Sequence, residues 1–170
     1  YVEFTVLQSM EHFLACHQNA FNFFGGVPEN IMVDNLKSAV IQRLIGQAPV
    51  FNPRYMDFAN HHGFKIKACG VGKGNEKGRV ENAVGYVKKN FLGGLEIPDF
   101  SVVNPAACQW MDAIANVRVH GATHKQPVEL FKVERPAMHA LPAAPYEVAV
   151  SRMVRATNRF RVNLDGNRYS

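Results

Sequence analysis

The sequence predicts an α/β chain in which helices alternate with short apolar strands and a β-rich tail follows. Three observations predict this class. Apolar residues recur near helical spacing in long segments, the clearest being residues 4–24. Short apolar or alternating runs, Ile31-Met32-Val33 and residues 64–69, lie between those segments and are bounded by glycine and proline turns. From Tyr146 onward the pattern becomes that of strands, with Val148, Val150, Met153, Phe160, Val162 and Leu164.

The elements follow in chain order. Leu7, Met10, Phe13, Leu14, Phe21 and Phe24 mark one face of a helix over residues 4–24, which Gly25-Gly26 stops. Pro28-Glu29-Asn30 makes a turn into a short buried strand over residues 30–33. Residues 38–45 fit helix or strand equally. Asn52-Pro53 opens a helix that runs to His61 or His62, with Pro53 at the first helical position and Gly63 as the stop. Residues 64–69 alternate as a half-exposed strand does, and Gly70, Gly72 and Gly74 then form a loose basic loop. A helix from Glu76 or Gly78 to Phe91 ends at Gly93-Gly94. Asn104-Pro105 caps another helix, carrying Ala107, Trp110, Met111 and Ile114 and ending near Val119. A short helix over residues 127–133 and an Ala/Pro-rich linker over residues 136–145 follow. Asp165-Gly166 signals a hairpin in the tail.

With 170 residues, 47% apolar and 19% charged, the chain has the make-up of a globular domain with a real core and a small appendage. No stretch reaches the apolar length of a membrane span, and the start lacks the features of a signal peptide. Cys16, Cys69 and Cys108 are too widely spaced for a zinc site and read as buried, reduced thiols. The net charge of +5 is uneven: residues 65–94 hold seven basic and two acidic side chains, and residues 152–170 hold five Arg and one Asp. Two such blocks point to a polyanionic partner.

Two acidic residues stand out. Asp34 follows the apolar run Ile31-Met32-Val33, where a carboxylate would face the crevice at a strand's exit; it could equally form a turn with Asn35. Glu81, in Lys77-Gly78-Arg79-Val80-Glu81-Asn82, lies one turn into its helix, where the helix dipole alone also favours an acid. Lys88 is seven residues on, two turns later on the same face. A carboxylate pair around a divalent ion, set in basic surroundings, suits phosphodiester chemistry. Glu76 is a rival acid in the glycine-rich loop, and Asp57 reads as a surface acid. Gly70-Val71-Gly72-Lys73-Gly74 lacks the Lys-Ser/Thr ending of a nucleotide-binding loop and reads as a substrate-gripping loop. His61-His62 reads as a helix-end pair.

The ordered set formed by Asp34-Asn35, residues 77–82 and Lys88 resembles the integrase core of DDE transposases. More closely, it resembles the IstA-type transposases of bacterial insertion sequences. Gly25-Gly26-Val27-Pro28, Pro53-Arg54-Tyr55, Asn116-Val117-Arg118-Val119-His120-Gly121 and Pro127-Val128-Glu129-Leu130-Phe131 support the resemblance, which covers essentially the whole chain. It implies a ribonuclease-H-like core over residues 1–135, a linker over 136–145, and the start of a small β-barrel over 146–170. It implies Asp34 and Glu81 as the second and third acids of a catalytic, metal-holding set, with Mg²⁺ (or Mn²⁺) as cofactor, two ions in the intact parent. Lys73, Lys77, Arg79, Lys88 and Lys89 would contact DNA.

The same resemblance implies double-stranded DNA as substrate, a homo-oligomer, a helper ATPase, no membrane association and a bacterial cytoplasmic location. By comparison with the family, the first acid and the first three strands have no counterpart here, so the expectation is a piece of a longer enzyme that is inactive alone. The alternative is a DNA-binding or assembly module without catalysis.

Overall fold

The computed structural model describes residues 1–33, 39–42, 48–69, 74–96, 99–148, 161–164 and 167–169. Its elements run α1 (Met10–Phe24), β1 (Asn30–Val33), β2 (Val40–Gln42), β3 (Val50–Phe51), α2 (Pro53–His62), β4 (Lys65–Ala68), α3 (Gly74–Val87), α4 (Val103–Trp110), α5 (Pro127–Glu134), β5 (Val162–Leu164) and β6 (Asn167–Tyr169). The class is mixed α/β, as expected.

α1 begins later than its periodicity predicts. Ser9 is the N-cap and accepts from the His12 amide, so residues 4–8 lie outside the helix and Leu7 is exposed. The backbone of Phe4 is occupied elsewhere: its N–H donates to Asn104 Oδ1 at 2.8 Å and its carbonyl accepts from Asn104 Nδ2 at 3.0 Å. Asn104 is therefore not a helix cap. A single 3₁₀ turn (Phe100–Val102), capped by Asp99, leads into α4 instead. At its other end α1 stops on Gly25, whose φ of 66° suits glycine. The amides of Gly25 and Gly26 donate to the carbonyls of Asn22 and Phe21, closing the last turn.

β1 and β4 pair in parallel, from Asn30 opposite Lys65 to Val33 opposite Ala68. Parallel strands need a crossover, and α2 supplies it. α2 has the predicted start and stop: Asn52 accepts from the Arg54 amide, Pro53 is the first helical residue, and Gly63 ends it with φ 78°. β2 and β3 form a small antiparallel pair, which resolves Val40–Gln42 as strand. β5 and β6 pair antiparallel on either side of Asp165-Gly166, which itself lies outside the described residues.

Two cores hold these elements. In the first, Leu14, Phe21, Val27, Tyr55, Phe58 and Phe64 bury against one another between α1, α2 and the β1–β4 pair. The second joins Phe91, Val103, Ala107, Trp110, Met111 and Ala115, with Tyr1, Val2 and Phe4 packed on it. α3 and α4 each continue into a π-helical turn, Lys88–Leu92 and Met111–Ala115. Within the second of these turns, Met111 and Ala115 are buried while Ile114 is 52% exposed. Cys69 is buried as expected, Cys16 is half-buried, and Cys108 is exposed, because it lies on the outer face of α4.

Residues 136–148 run back across the first core. Val27 and His139 exchange backbone hydrogen bonds at 2.9 and 2.8 Å. His61 Nε2 donates to the Ala144 carbonyl and Gln18 Nε2 to the Tyr146 carbonyl. The Tyr146 ring stands edge-on to Phe58, and its hydroxyl donates to Asp57 at 2.8 Å. Among the described residues, no helix is long and apolar enough to cross a membrane.

The first core contains histidines that are held neutral. His17 accepts from the Tyr55 hydroxyl at Nε2 and donates from Nδ1 to the Phe13 carbonyl, while His62 Nδ1 donates to Phe58. Burial lowers both pKa values from the usual 6.5. The unfolded chain then binds more protons below pH 6.5, so stability is full above that pH and falls as pH drops toward the folded-state values. A second acid-side loss follows from Glu11, which Arg54 at 2.5 Å helps hold at a pKa of about 2, down from 4.5. Urea unfolding midpoints should therefore fall between pH 7 and 5.5, and His17→Gln should flatten that fall. A midpoint independent of pH over this range contradicts the assignment.

Candidate carboxylate site on the strand edge

Because β1 and β4 are parallel, their carboxyl ends lie at one edge. The Cys69 amide donates to the Val33 carbonyl at 3.0 Å and extends the pairing to that edge. Ligands of sheets with helical crossovers bind outside the carboxyl ends of strands. Asp34 is next in sequence after Val33, and α3 follows β4 after residues 70–73. Two sequence-predicted features thus follow, in sequence, strand ends that lie at the same edge; Asp34 and Lys73 themselves lie outside the described residues. So does the glycine-rich loop up to residue 73.

Glu81 is exposed on α3, in the second of its turns. At 3.6 residues per turn, Lys88 falls within a few tens of degrees of Glu81, and both are exposed. Gly85 lies between them on that stripe, with open space where a Cβ would stand. Other faces of α3 are used differently. Asn82, Ala83, Tyr86 and Val87 line a groove of about 840 Å³ against α4 and the segment that follows it. Val80, Ala83, Val84, Val87 and Lys88 line a second groove with Val2, Phe4 and Leu92. Glu81 lines neither groove, whereas Lys88 lines the second. Lys77 and Arg79 are on α3 and Lys89 is exposed just beyond it; the side chains of Glu76, Lys77 and Arg79 lie outside the described residues. Lys88 and Lys89 open the π-helical turn, which presents them side by side.

Carboxylate oxygens are the ligands that Mg²⁺ and Mn²⁺ prefer, so Asp34 and Glu81 have the right donor chemistry. The described residues hold no group of three or more His, Cys, Asp or Glu that could bind a metal ion.

The segment from Asn116 to Gln126 entered the sequence reading only through the resemblance, up to Gly121, and its basic character was not singled out. The Arg118 guanidinium lies 3.8 Å from the centre of the Tyr86 ring and donates to the Ala115 carbonyl. The signal was present, since this stretch contains Arg118, His120, His124 and Lys125 and no acid. It was missed because its charge is averaged away over residues 95–151, which hold four basic and six acidic side chains.

No protein-family profile matches the chain. Individual proteins do. A putative transposase for insertion sequence element IS5376 from Geobacillus stearothermophilus is 31% identical over 149 residues, which is 88% of this chain and 36% of the relative. The transposase for an IS21-like element from Bacteroides fragilis is 33% identical over 157 residues, 91% of this chain and 30% of the relative. The transposase for IS21 from Pseudomonas aeruginosa is 30% identical over 164 residues, 96% of this chain and 42% of the relative. Over most of its length the chain is similar to parts of insertion-sequence transposases. The IS21 names of two of these relatives match the IstA-type resemblance of the sequence. The chain spans between 30% and 42% of the length of these three relatives.

Proposed function

We propose that this chain forms part of the catalytic core of a DDE transposase, which cleaves phosphodiester bonds and transfers DNA strands in a metal-dependent reaction. The observation that carries the reading is the parallel β1–β4 pair, with Asp34 following one carboxyl end and the Glu81 helix following the other. The core would be ribonuclease-H-like, and β5–β6 would begin a small β-barrel. Asp34 and Glu81 would hold Mg²⁺, which when bound stabilises the charge that develops on the phosphate oxygens. Lys88, on the stripe of Glu81, and its neighbour Lys89 would hold DNA phosphates and so orient the scissile bond; Lys73, Lys77 and Arg79 belong to the same basic block. These contacts position the strand and read no sequence. A multimeric assembly and a helper ATPase are part of the same proposal, carried by the family resemblance.

DNA binding tests it first. Double-stranded oligonucleotides of unrelated sequence should bind with similar affinity, and that affinity should fall by about tenfold or more between 50 and 200 mM salt. Lys88→Ala with Lys89→Ala should reduce the slope of log affinity against log salt by about 2. Salt-insensitive binding, or none at low salt, counts against the proposal. Binding that persists with no activity in any longer version supports an assembly module instead.

A further inference from the structure

The segment Asn116-Val117-Arg118-Val119-His120-Gly121 has no part in the carboxylate pair, yet it has a defined structure. The Val128 amide donates to the Asn116 carbonyl, and His120 N–H to the Lys125 carbonyl at 3.0 Å, so residues 116–128 close on themselves. His124 adopts a positive φ of 52° within this loop. His120 Nδ1 accepts from the Ala122 amide, which leaves its proton on Nε2. Facing the loop across the 840 Å³ groove is α3, and Asn82, Tyr86, Trp110, Arg118, His120 and Thr123 are among the lining residues. The Tyr86 and Trp110 rings are 5.5 Å apart, with Arg118 stacked on the Tyr86 face. Trp110 is 7% exposed, and its Nε1–H is buried with no hydrogen-bond partner among the described residues. A buried donor without a partner is costly unless a ligand supplies the acceptor.

We propose that this groove is a subsite for one unpaired nucleotide of a DNA strand, its base against Tyr86 and Trp110 and its phosphate beside Arg118 and His120. The proposal rests on the reading of the chain as part of a DNA-cutting core. The edges of the Tyr86 and Trp110 rings give a base an apolar wall, and an orphan indole N–H is matched by base carbonyl and ring-nitrogen acceptors. The loop carries Arg118, His120, His124 and Lys125 and no acid, which matches a phosphate. The groove's volume lies in the range of small-molecule sites. Asn82, which lines the groove, directly follows Glu81, so the groove is built on the helix that carries the proposed acid.

Trp110 is the only tryptophan in the chain, so its fluorescence reports on this groove alone. The experiment titrates the protein with a short oligothymidylate, following Trp110 emission and, in parallel, the anisotropy of the labelled strand. Emission should be quenched over the same concentration range in which anisotropy rises. An abasic strand of equal length should bind with little quenching. Arg118→Ala and the exposed rim variant Asn82→Asp should each weaken the quenching titration by about fivefold or more. Lys132→Ala, away from the groove, should leave it unchanged. Binding by anisotropy with unaltered Trp110 emission, as expected if a polypeptide segment fills the groove, overturns the subsite and leaves the DNA-binding reading standing. Quenching that survives in both groove variants also overturns it. Absence of any strand binding at low salt overturns the DNA-binding reading itself.

Discussion

Glu81→Gln is expected to abolish strand transfer, lowering its rate by at least about a thousandfold, or roughly 4 kcal/mol of transition-state stabilisation. Glutamine keeps the shape of the side chain and removes the charge that a divalent ion needs. Because Glu81 is exposed on α3 and lines neither groove, the substitution should leave the fold intact. The measurement uses a version lengthened upstream with the matching segment of a relative, since the chain spans only 30–42% of the length of these relatives. Asp34→Asn should cost as much, and the double variant little more than either, because the two act as one unit. The 170-residue chain should show neither nicking nor transfer with Mg²⁺ or Mn²⁺. Robust nicking by that chain, lost in Glu81→Gln, would mean that the two acids suffice. Undiminished transfer in Glu81→Gln would remove Glu81 from the chemistry altogether.

Phe58→Ala should lower the free energy of unfolding by about 3–5 kcal/mol. Its side chain is wholly buried and meets the rings of Phe21, Tyr55, His62, Phe64 and Tyr146. These neighbours come from α1, α2, the start of β4 and the returning segment, so the cavity cannot collapse from one side. A domain of this size has about 5–15 kcal/mol in total, and the loss should be evident as a large drop in the urea midpoint. Ile114→Ala, on the exposed side of its π-helical turn, should change stability by less than about 0.5 kcal/mol. Equal effects at both positions would mean that the core is not where the structure places it.

What could be read from the sequence was what local chemistry decides. Asn52-Pro53 and Gly63 bracket α2 because capping and a left-handed stop are properties of those residues alone. Ile31-Met32-Val33 and residues 64–69 read as strands for the same reason, though nothing local says that they pair in parallel. The errors arose where distant residues intervene. Phe4 and Asn104 bond across a separation of 100 residues, which removes both the early start of α1 and the cap assigned to α4. The π-helical turn at Met111 was not anticipated, because an ideal period allows for no extra residue in a turn. For the site, the face shared by Glu81 and Lys88 follows from seven-residue spacing on a helix. The groove beside it does not, because Tyr86, Trp110 and Arg118 come together only through the packing of α4 and its following loop against α3.

The central claim is that Asp34 and Glu81 serve one divalent-ion site. The most direct measurement is a crystal structure of the protein soaked in Mn²⁺, with the ion located by its anomalous scattering. The account predicts a peak with oxygens of both carboxylates at about 2.1 Å, or two ions bridged across carboxylates about 4–8 Å apart. Asp34 and Glu81 on opposite faces of an intact core, with no ion between them, would contradict it.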